Sequence, residues 1–181
     1  MRLTTFITCL LISSHAWASD FKIISSDMNA GKELQHKQIY QGFGCNGANI
    51  SPQLSWHNAP ANTKSFAVTA YDPDAPTGSG WWHWVIVNIP ASVTQISADA
   101  GNIKNKTAPQ GSLQIRTDFG NPGYGGACPP AGDKAHRYQF KVFALDIEKL
   151  DLTSDSTAAL AGFYLHAHAL DTAVLEVFYA R

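Results

Sequence analysis

Apolar residues recur along the chain in short runs: FKII at 21–24, SFAVTAY at 65–71, HWVIVNI at 83–89, YQFKVFAL at 138–145 and AVLEVFYA at 173–180. Val, Ile, Phe, Tyr and Trp dominate them, with partial period-two alternation, and Gly, Pro, Asn and Asp fill the gaps. That pattern predicts strands separated by turns. One stretch is different. STAALAGFYLHAHAL at 156–170 carries helical spacing that puts Leu160, Phe163, Ala167 and Leu170 on one face, with Ser154, Asp155 and Ser156 before it as cap candidates. Strands do not alternate with helices, so a doubly wound parallel sheet is disfavoured. The predicted fold class is mainly β: an antiparallel β-sandwich with a short helix near the C-terminus.

The first residues follow another logic. Arg2 precedes an apolar run from Leu3 to Ile12, and Ala16-Trp17-Ala18 is a small-x-small pattern before Ser19. These are the three regions of a secretory leader, and the run is too short to span a bilayer as a helix. The expected organisation is therefore a leader over 1–18 and a single domain over 19–181, exported to the periplasm or secreted. No later segment supplies the roughly 20 continuous apolar residues of a membrane helix, so stable membrane insertion is not expected.

Composition narrows the picture. The chain has 181 residues, 45% hydrophobic and 15% charged, enough for one substantial core. Its formal net charge is −1, and removing residues 1–18 takes away only Arg2 among the charged residues. A slightly acidic chain has no field to attract nucleic acid. Cleavage would also remove Cys9 and leave Cys45 and Cys128. An even count in an oxidising compartment favours one disulfide between them over two free thiols.

The chemistry concentrates in YDPDAPTGSGWWHW at 71–84. If SFAVTAYD and WHWVIVNI are the arms of a hairpin, Asp72 closes one arm and His83 opens the other, and the two meet at one end of the sheet. Parity assigns Asp72 to the face of Phe66, Val68 and Ala70, and His83 to that of Val85, Val87 and Ile89. His136 and Tyr138 share a face at the mouth of a further strand. Before them, Gly123, Gly125 and Gly126 permit a backbone that turns its N–H groups toward a small ligand. Two imidazoles, a tyrosine hydroxyl and such N–H groups suit an anion. Asp72 is sensible if it orients and protonates a neighbouring histidine, or if it shares a proton with the ligand. Each residue has a plainer reading: Asp72 and Asp74 as Asx-turn formers, His83 as a satisfied rim histidine, and Trp81, Trp82 and Trp84 as packing. His166 and His168 point apart on a helix and make a poor metal pair.

DPDAP at 72–76, WWHWVIVN at 81–88 and CPPAGDKAHRY at 128–138 resemble the signatures of the phosphatidylethanolamine-binding, or Raf kinase inhibitor-like, family, closest to its bacterial branch. The resemblance covers most of residues 20–180. It implies a β-sandwich with a small anion pocket at one end, where members hold phosphate, acetate or phosphoryl head groups. Residue by residue it assigns Asp72, His83, His136 and Tyr138 to the pocket, with Asp74, Pro76, Trp81 and Pro130 as walls. Cys128 is a departure, standing where eukaryotic members have glycine. That implies a loop pinned in place of a backbone contact.

The expected function is an exported binding or regulatory module for a small anionic or phosphoryl ligand, not an enzyme, with no cofactor and no metal. Two rivals stand beside it: an inhibitor of a protease or other protein, which the resemblance alone implies, and a hydrolase built on the Asp and His residues. The chain lacks GxSxG and HExxH, which counts against the hydrolase. No particular protein partner is indicated, and monomer and homodimer both remain open.

Overall fold

A computed structural model describes residues 20–181, so the leader expected at 1–18 and Cys9 lie outside the described residues. The strands, in chain order, are β1 (Lys22–Ile24), β2 (Gln41–Gly42), β3 (Cys45–Asn46), β4 (Leu54–His57), β5 (Ser65–Asp72), β6 (Trp81–Pro90), β7 (Gln95–Ile96), β8 (Leu113–Gln114), β9 (His136–Leu145) and β10 (Ala169–Tyr179). Among the described residues there is one α-helix, α1 (Ala158–His168), which precedes β10, and a short 3-10 helix at His36–Gln38. Five strands form an antiparallel sheet in the order β10-β9-β5-β6-β8, three form a second in the order β1-β4-β7, and β2 and β3 make a separate hairpin.

The two larger sheets face each other across the main core. Ile23, Leu54, Trp56 and Ile96 from the small sheet, with Phe21 just before it, meet Phe66, Val68, Trp84, Ile86, Phe140 and Val142 from the large one. Each such side chain, removed from water, contributes roughly 1.5–3 kcal/mol. The outer face of the large sheet is also covered: Ala67, Val85, Val87, Phe143 and Leu145 pack with Ala158, Ala161 and Leu165 of α1. The central strands are therefore buried on both sides, which is why β6 reads as a nearly unbroken apolar run.

The helix corrects two expectations. Thr157, rather than Ser154, Asp155 or Ser156, caps it, its hydroxyl accepting from the Leu160 N–H at 3.1 Å. The buried face consists of Ala158, Ala161 and Leu165, whereas Leu160 is 44% and Phe163 69% exposed. Small residues let the helix approach the sheet closely. Because α1 is apolar around most of its circumference, periodicity alone could not choose its face. It also ends early, and Ala169 and Leu170 open β10.

Strand β6 carries two irregularities against β5. Phe66 pairs with Ile89 but Val68 with Ile86, and Ala70 pairs with Trp84 but Tyr71 with Trp82. In each place β6 has an extra residue, the signature of a bulge. At the first, Asn88 adopts φ 58° and Ile89 returns to the core face of Ile86. At the second, His83 is the extra residue. Both corrections run against strict alternation, which put His83 and Ile89 with Val85 and Val87.

Candidate functional site

The sheet ends gather most of the chemistry in one cavity. Asp72 terminates β5, Trp81 and His83 begin β6, and His136 and Tyr138 begin β9. The register Tyr71↔Gln139 sets Asp72 beside Tyr138, with His136 two residues further on the same face. The bulge re-aims His83 to that side, where its ring meets Tyr138 at 5.2 Å, edge to face. The cavity holds about 140 Å³, roughly ten times what one water needs on the same measure.

Asp72 combines both roles its sequence context allowed. Its Oδ1 accepts from the N–H groups of Asp74 (2.8 Å) and Ala75 (3.1 Å), an Asx-type turn made by DPDAP. Its Oδ2 lies 2.8 Å from His136 Nδ1, and both side chains are only 3% exposed. A carboxylate can only accept, so Nδ1 carries the proton. His136 Nε2 lies 3.5 Å from an oxygen of Asp133.

His83 is held differently. Its Nδ1 donates to the Gly125 carbonyl at 2.7 Å, and the Gly125 N–H donates to the His83 carbonyl at 2.9 Å. Burial dominates and pulls the His83 pKa below its ordinary 6.5, although the Gly125 carbonyl and the Asp72 charge act in the opposite direction. A pocket histidine charged by Asp72 is therefore not what this site offers at His83. The ring stays neutral at pH 7, with Nε2 as an acceptor.

The Tyr138 hydroxyl is buried and makes no hydrogen bond of good geometry, although it lies close enough to the Asp72 carboxylate to interact with it. Burial first, then the neighbouring Asp72 charge, push its pKa far above the ordinary phenol value, so it remains a donor at every physiological pH.

Of the other residues singled out in the sequence, Pro76, Trp81, Cys128 and Pro130 line the cavity with Asp72, His83, His136 and Tyr138. Asp74 does not. It turns outward to Arg137, which binds it through Nε (2.9 Å), Nη2 (2.8 Å) and the backbone N–H (2.9 Å). That fork holds the Asp74 carboxyl well below the usual carboxylate range and fastens the DPDAP turn to β9.

The glycine loop is likewise spent internally. The Gly125 N–H goes to His83, and the Gly126 N–H to Asn49 Oδ1 at 2.7 Å, so neither reaches toward a ligand. The glycines serve close packing. A Cβ on Gly125 would lie 2.3 Å from the Phe119 ring, and one on Gly126 2.3 Å from the Gln38 carbonyl.

Cys128 is bonded to Cys45, 83 residues away, which ties the cavity wall to the β2–β3 hairpin. Sequence reasoning missed the aromatic wall made by Phe43 and Phe119. Its faint signal was an aromatic between glycines in GFGCNG and another in DFGNPG. Trp84 lies wholly in the core, its indole N–H donating to Gln114 at 2.8 Å. Among the described residues, no group of three or more His, Cys, Asp or Glu is placed to hold a metal.

A β-sandwich with a polar-floored cavity at one end defines the class, and comparison with known proteins defines the family. The profile of the family described as "Phosphatidylethanolamine-binding protein" matches residues 24–180. The chain belongs to that family. It is 51% identical to the UPF0098 protein YbcL of Escherichia coli (strain K12) over 168 residues, covering 93% of this chain and 92% of that protein. It is 49% identical to YbhB of the same organism over 159 residues, covering 88% and 99%. The crystal structure of E. coli YbcL, described as a new member of the mammalian PEBP family, superposes with a TM-score of 0.88 and covers 91% of this chain and 99% of that one.

Proposed function

We propose that this chain is an exported binding or regulatory module whose end cavity takes a small acidic ligand of the phosphoryl type and does not turn it over. The observation that carries the reading is the Tyr138 hydroxyl, a buried donor with no well-formed hydrogen bond in a cavity that also contains His83 and the Asp72–His136 pair. A buried unpaired donor costs stability unless a ligand or water completes it.

The surroundings refine the ligand. Among the described residues no Lys or Arg lines the cavity, and the one carboxylate lining it, Asp72, already has three donors around it. Asp72 thus repels an incoming anion less than a bare carboxylate would. His83, neutral, accepts at Nε2, and Tyr138 donates. An acid that retains one proton, such as a phosphomonoester monoanion, matches this set better than a dianion. The description of the family as phosphatidylethanolamine-binding supports a phosphoryl head. The leader-like N-terminus and the bonded cysteine pair support export.

Calorimetric titration with inorganic phosphate and phosphoethanolamine tests the assignment. His136→Ala is expected to weaken binding at least tenfold, while His57→Ala and His168→Ala, far from the cavity wall, leave it unchanged. Failure of the wild type to bind either compound would overturn the reading.

One feature favours a second reading. A carboxylate holding Nδ1 of a histidine is the arrangement that orients a general base. A panel of phosphomonoesters and carboxylic esters, with and without zinc or magnesium, separates the two. A rate above background that disappears in His136→Ala would establish the hydrolase.

A further inference from the structure

The polar floor leaves one conspicuous side chain unexplained. Phe43 lines the same cavity but stands at the tip of the β2–β3 hairpin, 66% exposed, with φ 52°. A bulky residue in the left-handed region is strained, and such strain persists where the surroundings impose it. Here the surroundings are explicit. Gly44, at φ 82°, follows it, and Cys45, the next residue, is bonded to Cys128 in the cavity wall. The ring is thereby anchored at the cavity mouth.

Its neighbours make a track. Phe43 lies parallel to Phe119 at 5.9 Å and 10°, with Tyr40 packed against both at 5.2 and 4.6 Å. Phe119 in turn stands edge-on to Trp81 and to His83, each at 5.5 Å. Rings therefore run from solvent at Phe43 down to the imidazole on the floor. This aromatic wall rises beside the floor, and among the described residues no cationic side chain lines the cavity to meet a polar continuation of an acid seated there. Flat apolar groups gain most from such a surface, through burial and offset or edge-to-face contacts.

Building on the anion reading above, we propose that Phe43 is the specificity-determining residue of the pocket, and that the ligand is an acid whose first substituent is aromatic or similarly flat and apolar. The disulfide serves this selection by holding the ring over the mouth.

Methylphosphonate and phenylphosphonate share one head group, resist hydrolysis and differ only in that substituent. Titrated into the full disulfide-bonded protein, phenylphosphonate is expected to bind at least tenfold tighter. Phe43→Gly, which suits the left-handed backbone and removes the ring, should weaken phenylphosphonate binding and reduce the difference to within threefold. Phe43→Trp should preserve it. Equal affinities in the wild type, or a preference that survives Phe43→Gly, would overturn the proposal while leaving the anion site intact. Absence of binding by both phosphonates would overturn the anion reading, and this proposal with it.

Discussion

Asp72 and His136 are joined across two strand ends at 2.8 Å, with scarcely any solvent access to either. The pair makes a fixed choice of tautomer. Asp72→Asn retains an acceptor for the Asp74 and Ala75 N–H groups but turns a donor toward Nδ1, so the His136 proton must move to Nε2. The expected outcome is a phosphate affinity that rises, because the pocket loses a negative charge and gains an Nε2–H donor, with the turn preserved, checked by calorimetry beside a thermal melt. Unchanged affinity would mean that the His136 tautomer is irrelevant to binding.

Tyr138→Phe separates function from stability. Removing this poorly bonded hydroxyl from the cavity should leave the unliganded protein equally stable or up to about 1 kcal/mol more stable. Phosphate affinity should fall about fivefold to tenfold. Denaturant unfolding with and without ligand measures both, and a destabilised variant would show that the hydroxyl already has a partner.

His83 should make stability pH-dependent in a defined direction. Its folded-state pKa is depressed by burial, below the 6.5 of a free histidine. Above pH 6.5 both folded and unfolded chains carry the neutral ring and the contribution is complete. As pH falls below 6.5 the unfolded chain takes up the proton first, and stability is lost at up to about 1.4 kcal/mol per pH unit until the folded-state pKa is reached. His83→Asn, which can still donate to the Gly125 carbonyl, should lack this component. Urea unfolding at pH 7.5 and 5.5 tests it, and identical pH slopes in the two proteins would refute it.

The Cys45–Cys128 bond closes a loop with a sequence separation of 83 residues. In the chain-entropy account, closing such a loop stabilises the fold by about 4.5 kcal/mol. Thiol titration of denatured, unreduced protein should find none of these two cysteines free, and reduction should move the unfolding midpoint sharply down. Two titratable thiols would contradict the bond.

The β-sandwich, its principal strands and the gathering of Asp72, His83, His136 and Tyr138 at one end were legible before any coordinates. Strand signals are local, being apolar alternation between turn formers, and a residue at a strand mouth stays at that end of the sheet whatever its neighbours do. Period two on β9 likewise puts His136 and Tyr138 on one face, whereas their alignment with Asp72 comes from the Tyr71↔Gln139 register of β5 and β9.

What the local pattern could not settle was every choice made by a distant partner. Alternation sent His83 outward with Val85, and only the mismatch of β6 against β5 inserts it as a bulge and returns it to the pocket. Asp74 looked like a wall until Arg137, 63 residues away, drew it outward. The helix carried apolar residues on nearly all sides, so contact with the sheet, rather than periodicity, selected Ala158, Ala161 and Leu165 over Leu160 and Phe163. The loop glycines declared their flexibility but not its use, which is to let Phe119 and residue 38 approach within distances a Cβ would forbid. The sequence by itself determined the five principal strands and the helix, the end of the sheet where polar groups collect, and the cysteine pair available to form a bond, but not the short strands β2, β3, β4, β7 and β8. Tertiary structure alone decided which way those groups point and which of their hydrogen bonds are already spent, because both depend on pairing between segments that local pattern does not couple.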